Sequence, residues 1–339
     1  MAKILVTGGL GFIGSHTVVE LQKEGYDVVI IDNLSNSSID VLDRITSITS
    51  VKPIFEQIDL KEKASVVNFF ERHKDVEGVV HFAASKAVGE SVAQPLAYYE
   101  NNINGLVYVL EELVKFPKAR FIFSSSCTVY GQPDTLPITE DSPIKKAESP
   151  YGNTKQIGEE IIKDVCNIRP SFNAISLRYF NPIGAHESGR IGELPIGVPL
   201  NLVPFITQTA IGIRDQLSVF GNDYPTPDGT CIRDYIHVVD LAKAHVTALN
   251  RLLHGTNSDT YEVYNLGTGK GSSVLEVIAA FEKVSSKKLN YRIADRRPGD
   301  VVEVYADTSK AKQILGWQTE LTLEDAVASA WHWEQQLRK

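Results

Sequence analysis

No apolar run in this chain of 339 residues approaches the roughly 20 residues needed to span a bilayer as a helix. The start, Met1-Ala2-Lys3-Ile4-Leu5, already reads as a strand, so no signal peptide is expected. Cysteine is scarce: Cys127, Cys166 and Cys231 are odd in number and widely spaced. That excludes a disulfide framework and suits free thiols in a reducing cytoplasm. A basic excess is also missing. The formal net charge is −8 and the pI about 5.6, which argues against a nucleic-acid footprint while leaving room for a local site for a phosphorylated small molecule. The eight histidines form no ligand-like cluster, and His237 and His245, eight apart, read as structural, so no metal is expected. Repeats, low-complexity tracts and long linkers are absent. What remains is an ordinary globular composition, 43% hydrophobic and 22% charged, long enough for one large domain or two intimate ones.

The most informative stretch is the first turn. Ile4 to Val6 reads as a buried parallel strand, a glycine cluster stops it, and Phe12 to Gln22 carries helical spacing through Ile13, Val18 and Leu21. Strand, glycine turn and helix in that order make an anion site. Gly8 permits the tight turn, Gly11 lets the backbone approach a pyrophosphate, and Gly14 lets the helix pack close to the strand. The second strand, Asp27 to Ile31, ends at Asp32, 18 residues past Gly14. A carboxylate there accepts hydrogen bonds from a ribose diol and repels a 2′-phosphate, so the pattern favours NAD over NADP.

Up to about residue 180, strand-like and helical runs alternate. Pro53–Gln57, Val76–Phe82, Arg120–Ser124 and Ala174–Arg178 are the later strands; Ala64–His73, Ala97–Lys115 and Tyr151–Val165 are among the helices. This alternation predicts an α/β fold with a Rossmann-type, doubly wound parallel sheet. Beyond Asn181 proline and glycine become dense and the alternation fails, marking a smaller C-terminal α/β lobe. Val239–Leu252 followed by Tyr261–Leu266 again looks like helix and strand. The expected division is therefore a dinucleotide-binding domain over 1–180, rejoined at about 235–266, and a substrate lobe over 181–234 and 267–339.

Ligands of doubly wound sheets collect beyond the carboxyl ends of the strands. Asp59-Leu60 follows the third strand, placed to border an adenine ring. Phe82-Ala83-Ala84-Ser85-Lys86 follows the fourth, small enough for close backbone approach, with Lys86 able to reach a phosphate. Ser126 lies at the fifth. Pro150 suits a first helical turn, and Tyr151 and Lys155, four apart, project from one face of that helix. A lysine ammonium beside a phenol favours the phenolate, so Lys155 is expected to lower the Tyr151 pKa toward the working pH, while Ser126 shares the substrate's proton.

With these residues in place, the chain resembles the extended short-chain dehydrogenase/reductases and, among them, the UDP-glucose (UDP-galactose) 4-epimerase family. The likeness runs from end to end: the opening turn, His81 to Ser91, Ser124 to Gly131, Tyr151-Gly152-x-x-Lys155, Arg178-Tyr179-Phe180-Asn181-Pro182, Asn222 to Thr226 and Arg233 to Val238. The resemblance implies a homodimeric NAD enzyme that inverts C4 of UDP-galactose and UDP-glucose through a 4-keto sugar. It also implies NAD contacts at Phe12, Ile13, Asp32, Asn33, Leu34, Ser35, Asn36, Ser37, Asp59, Leu60, Phe82 to Lys86, Asn101, Ser126, Tyr151, Lys155 and Phe180. Lys155 would hold the nicotinamide ribose, and Ser126 and Tyr151 the sugar 4-hydroxyl. Asn181, Asn201, Leu202, Ser218, Phe220, Arg233, Arg297 and Asp300 would hold UDP, the arginines through charge-assisted bonds to its pyrophosphate. Val304 falls at a wall of the sugar pocket, where family members with tyrosine are confined to glucose and galactose; valine leaves room for the acetamido group of UDP-N-acetylglucosamine and UDP-N-acetylgalactosamine. The nearest rival is a nucleotide-sugar 4,6-dehydratase on the same scaffold. Such enzymes carry an Asp-Glu pair where this chain has Cys127-Thr128, and neither of these is a strong general acid.

Overall fold

A computed structural model describes residues 2–297 and 300–339. Its centre is a seven-stranded, all-parallel sheet: β1 (Lys3–Thr7), β2 (Asp27–Asp32), β3 (Ile54–Gln57), β4 (Val76–His81), β5 (Arg120–Ser126), β6 (Asn173–Tyr179) and β7 (Tyr261–Leu266). Their spatial order is β7-β6-β5-β4-β1-β2-β3. The order reverses between β1 and β4, and the carboxyl ends there open a crevice.

Alternation along each strand divides the core in two. Ile4, Val6, Val28 and Ile30 pack with Val18 and Leu21 of helix α1 (Phe12–Lys23), Ile45 of α2 (Asp40–Thr49) and Leu241 and Leu249 of the helix Val238–Leu253. Leu5, Val29, Ile31, Val79, Phe121 and Phe123 face the other way. They meet Val66 and Phe69 of α3 (Lys63–Arg72), Leu106 and Leu110 of α4 (Gly105–Leu113) and Ile162 of α5 (Pro150–Ile168). Both faces are covered, which is why the strands read as continuous apolar runs.

The helix expected over 97–115 is not continuous. Pro95–Tyr99 is α-helical, Glu100–Asn104 is a π-turn, and α4 resumes at Gly105. Within that turn the Asn102 side chain bonds to Ser85, in the loop after β4, and such bulges are frequent at functional sites. A separate apolar cluster gathers Val219, from the strand Leu217–Phe220, with Val203, Ile206, Val277, Phe281, Val327 and Ala330, from helices Leu202–Ala210, Val274–Ser285 and Leu323–Leu337. The last two start with reciprocal capping boxes, Ser273 with Glu276 and Thr322 with Asp325. Short strands link the elements around it: Leu217–Phe220 pairs with Tyr291–Ala294, and Ile232–Arg233 lies between Ser272–Ser273 and Glu303–Val304.

Candidate active site

The glycine turn is built as an open helix N-terminus. Gly8 has φ +68°, and a Cβ on it would meet the Ala83 nitrogen at 2.9 Å, so the loops after β1 and β4 touch at the crevice. A Cβ on Gly14 would sit 2.2 Å from the Gly8 carbonyl oxygen; the close approach expected between helix and strand is thus to the turn itself. Gly11 is the N-cap of α1 and brings no side chain to the first turn, leaving its amides for an anion. Asp32, at the end of β2, is buried. Its carboxylate accepts from the Leu10 amide at 3.1 Å, the Leu34 amide at 2.9 Å and the Ser37 hydroxyl at 2.8 Å. Leu34 has φ +60°, and the Asn33 side chain accepts from the Ser35 amide at 3.0 Å. The turn of Asn33 to Ser37 is held to the carboxylate through Leu34 and Ser37. Asn33 also donates to Asp59 at 3.3 Å. Leu60, beside Asp59, is buried in the core against Gly105.

The loop after β4 is clamped from two sides. Thr7 and His81 share a hydrogen bond at 2.9 Å, and the Ala83 amide donates to Thr7 Oγ1 at 3.3 Å. On the other side Asn102 accepts from the Ser85 amide at 2.8 Å and donates to the Ser85 carbonyl and to Thr154, each at 3.0 Å. Asn101 donates to Ser85 Oγ at 3.3 Å. Lys86 lies above the Phe12 ring, 5.9 Å from its centroid, and pairs with Glu193 at 3.2 Å.

Three candidate chemical groups meet at the ends of β5 and α5. Ser149 caps α5 by accepting from the Gly152 amide at 3.1 Å, and Pro150 occupies its first turn. Ser126 Oγ accepts from the Thr128 amide at 3.3 Å, capping the turn Cys127–Tyr130. Tyr151 and Lys155 share a face, with the ammonium 5.8 Å from the phenol ring centroid. The ammonium donates to the Ser124 carbonyl at 2.6 Å. Burial pulls the Lys155 pKa down to about 8, with Glu159 opposing the fall. The expected lowering of the Tyr151 pKa by Lys155 is not found. Burial pushes Tyr151 up to about 12, only partly countered by the Ser126 side chain. Desolvation of the phenolate is the largest cause, and the Lys155 ammonium is bonded to the Ser124 carbonyl rather than to the phenol oxygen.

The remaining candidates surround a more open space. Phe180 follows β6 and is buried with Val129, Tyr130, Ile138 and Ala306, with Val304 at the cluster's edge. The Asn181 amide donates to the Asp234 carbonyl at 2.9 Å. Arg233 and Arg297 both reach Asp300, at 3.7 Å and 3.0 Å. Val304 pairs with Arg233 on the neighbouring strand. The Arg297 guanidinium lies 5.0 Å from the centroid of Phe220, and Ser218 sits on the same strand as that ring. Pro298 and Gly299, between the two halves of this motif, lie outside the described residues. Asn201 is exposed at the N-cap of helix Leu202–Ala210 and donates to Glu193 at 2.5 Å.

Known proteins share this arrangement. The family profile described as GDP-mannose 4,6 dehydratase matches residues 5–330. The chain is 53% identical to the UDP-glucose 4-epimerase of Bacillus subtilis, over 98% of this chain and 96% of that one. It superposes on the crystal structure of a Stenotrophomonas maltophila UDP-glucose 4-epimerase with bound NAD and formylated UDP-arabinopyranose with TM-score 0.95, at 43% identity, covering 100% and 99% of the two chains. For the Bifidobacterium longum UDP-glucose 4-epimerase in complex with NAD+ and UDP the figures are 0.94 and 47%, covering 99% and 98%. The chain belongs to the UDP-glucose 4-epimerase family. As a member of it, the chain has at Cys127 a thiol that burial pushes up to about 12, a poor acid for removing water. The Thr128 hydroxyl beside it is buried without a protein partner.

Two polar residues of this 4-epimerase site escaped the sequence reading. Asn102 ties the loop after β4 to α5, and Glu193 joins Lys86 to Asn201. The doublet Asn101-Asn102 was a usable signal for the first. Glu193 lies in a loop rich in glycine and proline, with nothing local to distinguish it.

Proposed function

We propose that this protein interconverts UDP-galactose and UDP-glucose by inverting C4 of the hexose with NAD as resident cofactor. The observation that carries the reading is the convergence of Ser126, Tyr151 and Lys155 at strand ends beside the glycine turn. The chain's own groups fit NAD. The open start of α1 suits its pyrophosphate, and the Asp32 carboxylate, already oriented by two amides and Ser37, suits a ribose diol. Phe12, Ile13, the loop Phe82 to Lys86, Asn101 and Phe180 are assigned to the rest of the cofactor, as the family resemblance implies. When bound, NAD would supply a hydride acceptor for C4 and, once reduced, the hydride returned to the opposite face.

The chain does the rest. Tyr151 takes the 4-hydroxyl proton and later gives it back, and Ser126 holds the same oxygen. Lys155 holds the nicotinamide ribose. A phenol near pKa 12 is almost wholly protonated at neutral pH, so the positive charge of the oxidised nicotinamide beside it is what brings it toward the working range. Asn181, Asn201, Leu202, Ser218, Phe220, Arg233, Arg297 and Asp300 anchor UDP while the 4-keto sugar turns over. Loss of water, as in a 4,6-dehydratase, lacks its acid at Cys127 and Thr128. Val304, small and beside Arg233, leaves space for an acetamido group, so UDP-N-acetylglucosamine and UDP-N-acetylgalactosamine are secondary substrates. In this reading the working form is a cytoplasmic homodimer; the three cysteines are free, and among the described residues no helix is long and apolar enough to cross a membrane.

The test is to incubate purified protein with UDP-galactose, without added cofactor, and separate the products. UDP-glucose is expected; an unchanged substrate or a dehydrated 6-deoxy product refutes the proposal.

A further inference from the structure

Beneath the three groups runs a chain of buried polar side chains that the reaction does not use. Arg178, on β6, donates to both oxygens of Glu159, from Nε at 2.9 Å and from Nη2 at 2.5 Å. Its third nitrogen, Nη1, donates to the Tyr130 hydroxyl at 2.9 Å, which in turn donates to Asn265 at 2.7 Å. The Asn265 amide reaches the Ile138 carbonyl at 2.9 Å. Ser125 donates to Glu159 from β5. Ser125, Tyr130 and Asn265 are fully buried, and Arg178 and Glu159 are 6% and 8% exposed.

A salt bridge so buried is a poor source of stability, because desolving both ions offsets much of their attraction, and apolar side chains of like volume do as well. What an apolar pair cannot supply is direction: the fork of Arg178 fixes distance and angle together. Four of the five linked side chains sit next to a group assigned above. Glu159 is one helical turn beyond Lys155, which is one turn beyond Tyr151; Ser125 precedes Ser126; Tyr130 ends the turn that Ser126 caps; Arg178 is two residues before Phe180.

We propose that the Glu159–Arg178 pair is a positioning device, locking α5 with Tyr151 and Lys155 in register with the strand ends carrying Ser126 and Phe180. The proposal rests on the functional reading above. The pair touches neither substrate nor cofactor; it acts through the residues beside it. Glu159 also opposes the fall of the Lys155 pKa, so its loss would leave that ammonium less charged as well as less well aimed. Misplacement of reacting groups by about 1 Å is enough to cost on the order of 10²-fold in rate.

The experiment compares Glu159→Leu, Arg178→Met and the combined variant with the parent, all with NAD bound. It measures thermal stability, NAD content, and kcat and KM for UDP-galactose. Each single change strands a buried charge and lowers stability; the combined change removes both charges and restores it. The expected result is a combined variant with parental NAD content and KM and kcat reduced by about 10–100-fold. A combined variant with parental kcat overturns the proposal and leaves the pair purely structural. If the combined variant does not fold, Arg178→Lys keeps the charge and loses the fork; it is expected to lower kcat by about tenfold at unchanged KM, and parental kcat there also overturns the proposal. A parent inert toward UDP-galactose overturns the functional reading and this proposal with it, whereas an active parent with an equally active combined variant overturns this proposal alone.

Discussion

The two ends of the site are built differently. At the proton-handling end, Lys155 is buried, Ser126 nearly so, and the groups behind them are paired side chain to side chain through three strands and a helix. At the end proposed above for UDP the cations sit in partial contact with water: the Arg233 and Arg297 side chains are 16% and 52% exposed, and both are held by one carboxylate, Asp300. Chemistry that depends on fractions of an ångström is set in the core, where packing resists movement. On the proposed reading, recognition of a charged, extended nucleotide is left to longer side chains that exchange one anion for another at modest cost. Changes at the first end should therefore act on turnover and changes at the second on affinity.

The largest expected effect is at Tyr151. Replacing it by phenylalanine removes the proton acceptor while leaving the turn and Asp32 intact, so turnover falls ~10²–10⁴-fold with NAD still bound. Steady-state rates and the absorbance of extracted nucleotide check both halves of that statement, and near-normal turnover would remove Tyr151 from its role.

Acid should separate the buried region from the exposed one by stability. Burial holds His16 and His81 at about 3, and His237 and His245 at about 4, all below the ordinary 6.5. The unfolded chain binds their protons first, so the stability they contribute is complete above pH 6.5 and is lost as pH falls through 6.5 toward 3–4. Each histidine contributes a slope of ~1.4 kcal/mol per pH unit in that window. Asp234 and Asp240, raised by burial, act in the opposite sense only near the carboxylate range. Melting temperature measured from pH 8 to pH 4 should be flat to about 6.5 and then drop; a flat profile to pH 4 would contradict the burial of these rings.

Asp32 tests the cofactor end of the same region. The protein as purified should yield NAD or NADH on acid extraction, and Asp32→Ala should reduce retention. It should also lower stability by about 1–3 kcal/mol, because the amides of Leu10 and Leu34 lose their acceptor. Chiefly NADP in the extract would refute the reading of β2.

How much of this was legible in the chain depended on how far apart the interacting residues lie. Gly8, Gly14 and Asp32 act within one strand-turn-helix unit, and their constraints are visible in spacing alone; so is Tyr151–Lys155, one helical turn apart. Asn102 bonds to Ser85 and Thr154, and Glu193 to Lys86, across separations that no local pattern encodes. Arg178 reads as one more residue of a strand until Glu159 is seen opposite it. The pKa of Tyr151 was misjudged for the same reason: the spacing shows the lysine, while the desolvation comes from elements distant in sequence. The π-turn at Glu100–Asn104 was likewise hidden inside a continuous helical pattern.

The smallest effect concerns substrate width. Val304 stands beside Arg233, at the edge of the cluster of Phe180 and Tyr130. Val304→Tyr should remove activity on UDP-N-acetylglucosamine while sparing UDP-galactose, a shift of ~1–3 kcal/mol in relative kcat/KM. A parent that ignores the acetylated sugar, or a tyrosine variant that treats both sugars as the parent does, would show that this wall is elsewhere.

The division of labour itself is tested most directly by a double-mutant cycle between its two ends, reading kcat/KM for UDP-galactose in Tyr151→Phe, Arg233→Ala and the combined variant. Arg233→Ala alone should raise KM at nearly constant kcat, by about 1.5–3 kcal/mol for charge-assisted bonds to a pyrophosphate. If the two ends act separately, the losses add within about 0.5 kcal/mol. A combined variant no worse than Tyr151→Phe alone would mean that Arg233 works through the proton-handling end, and the separation would be wrong.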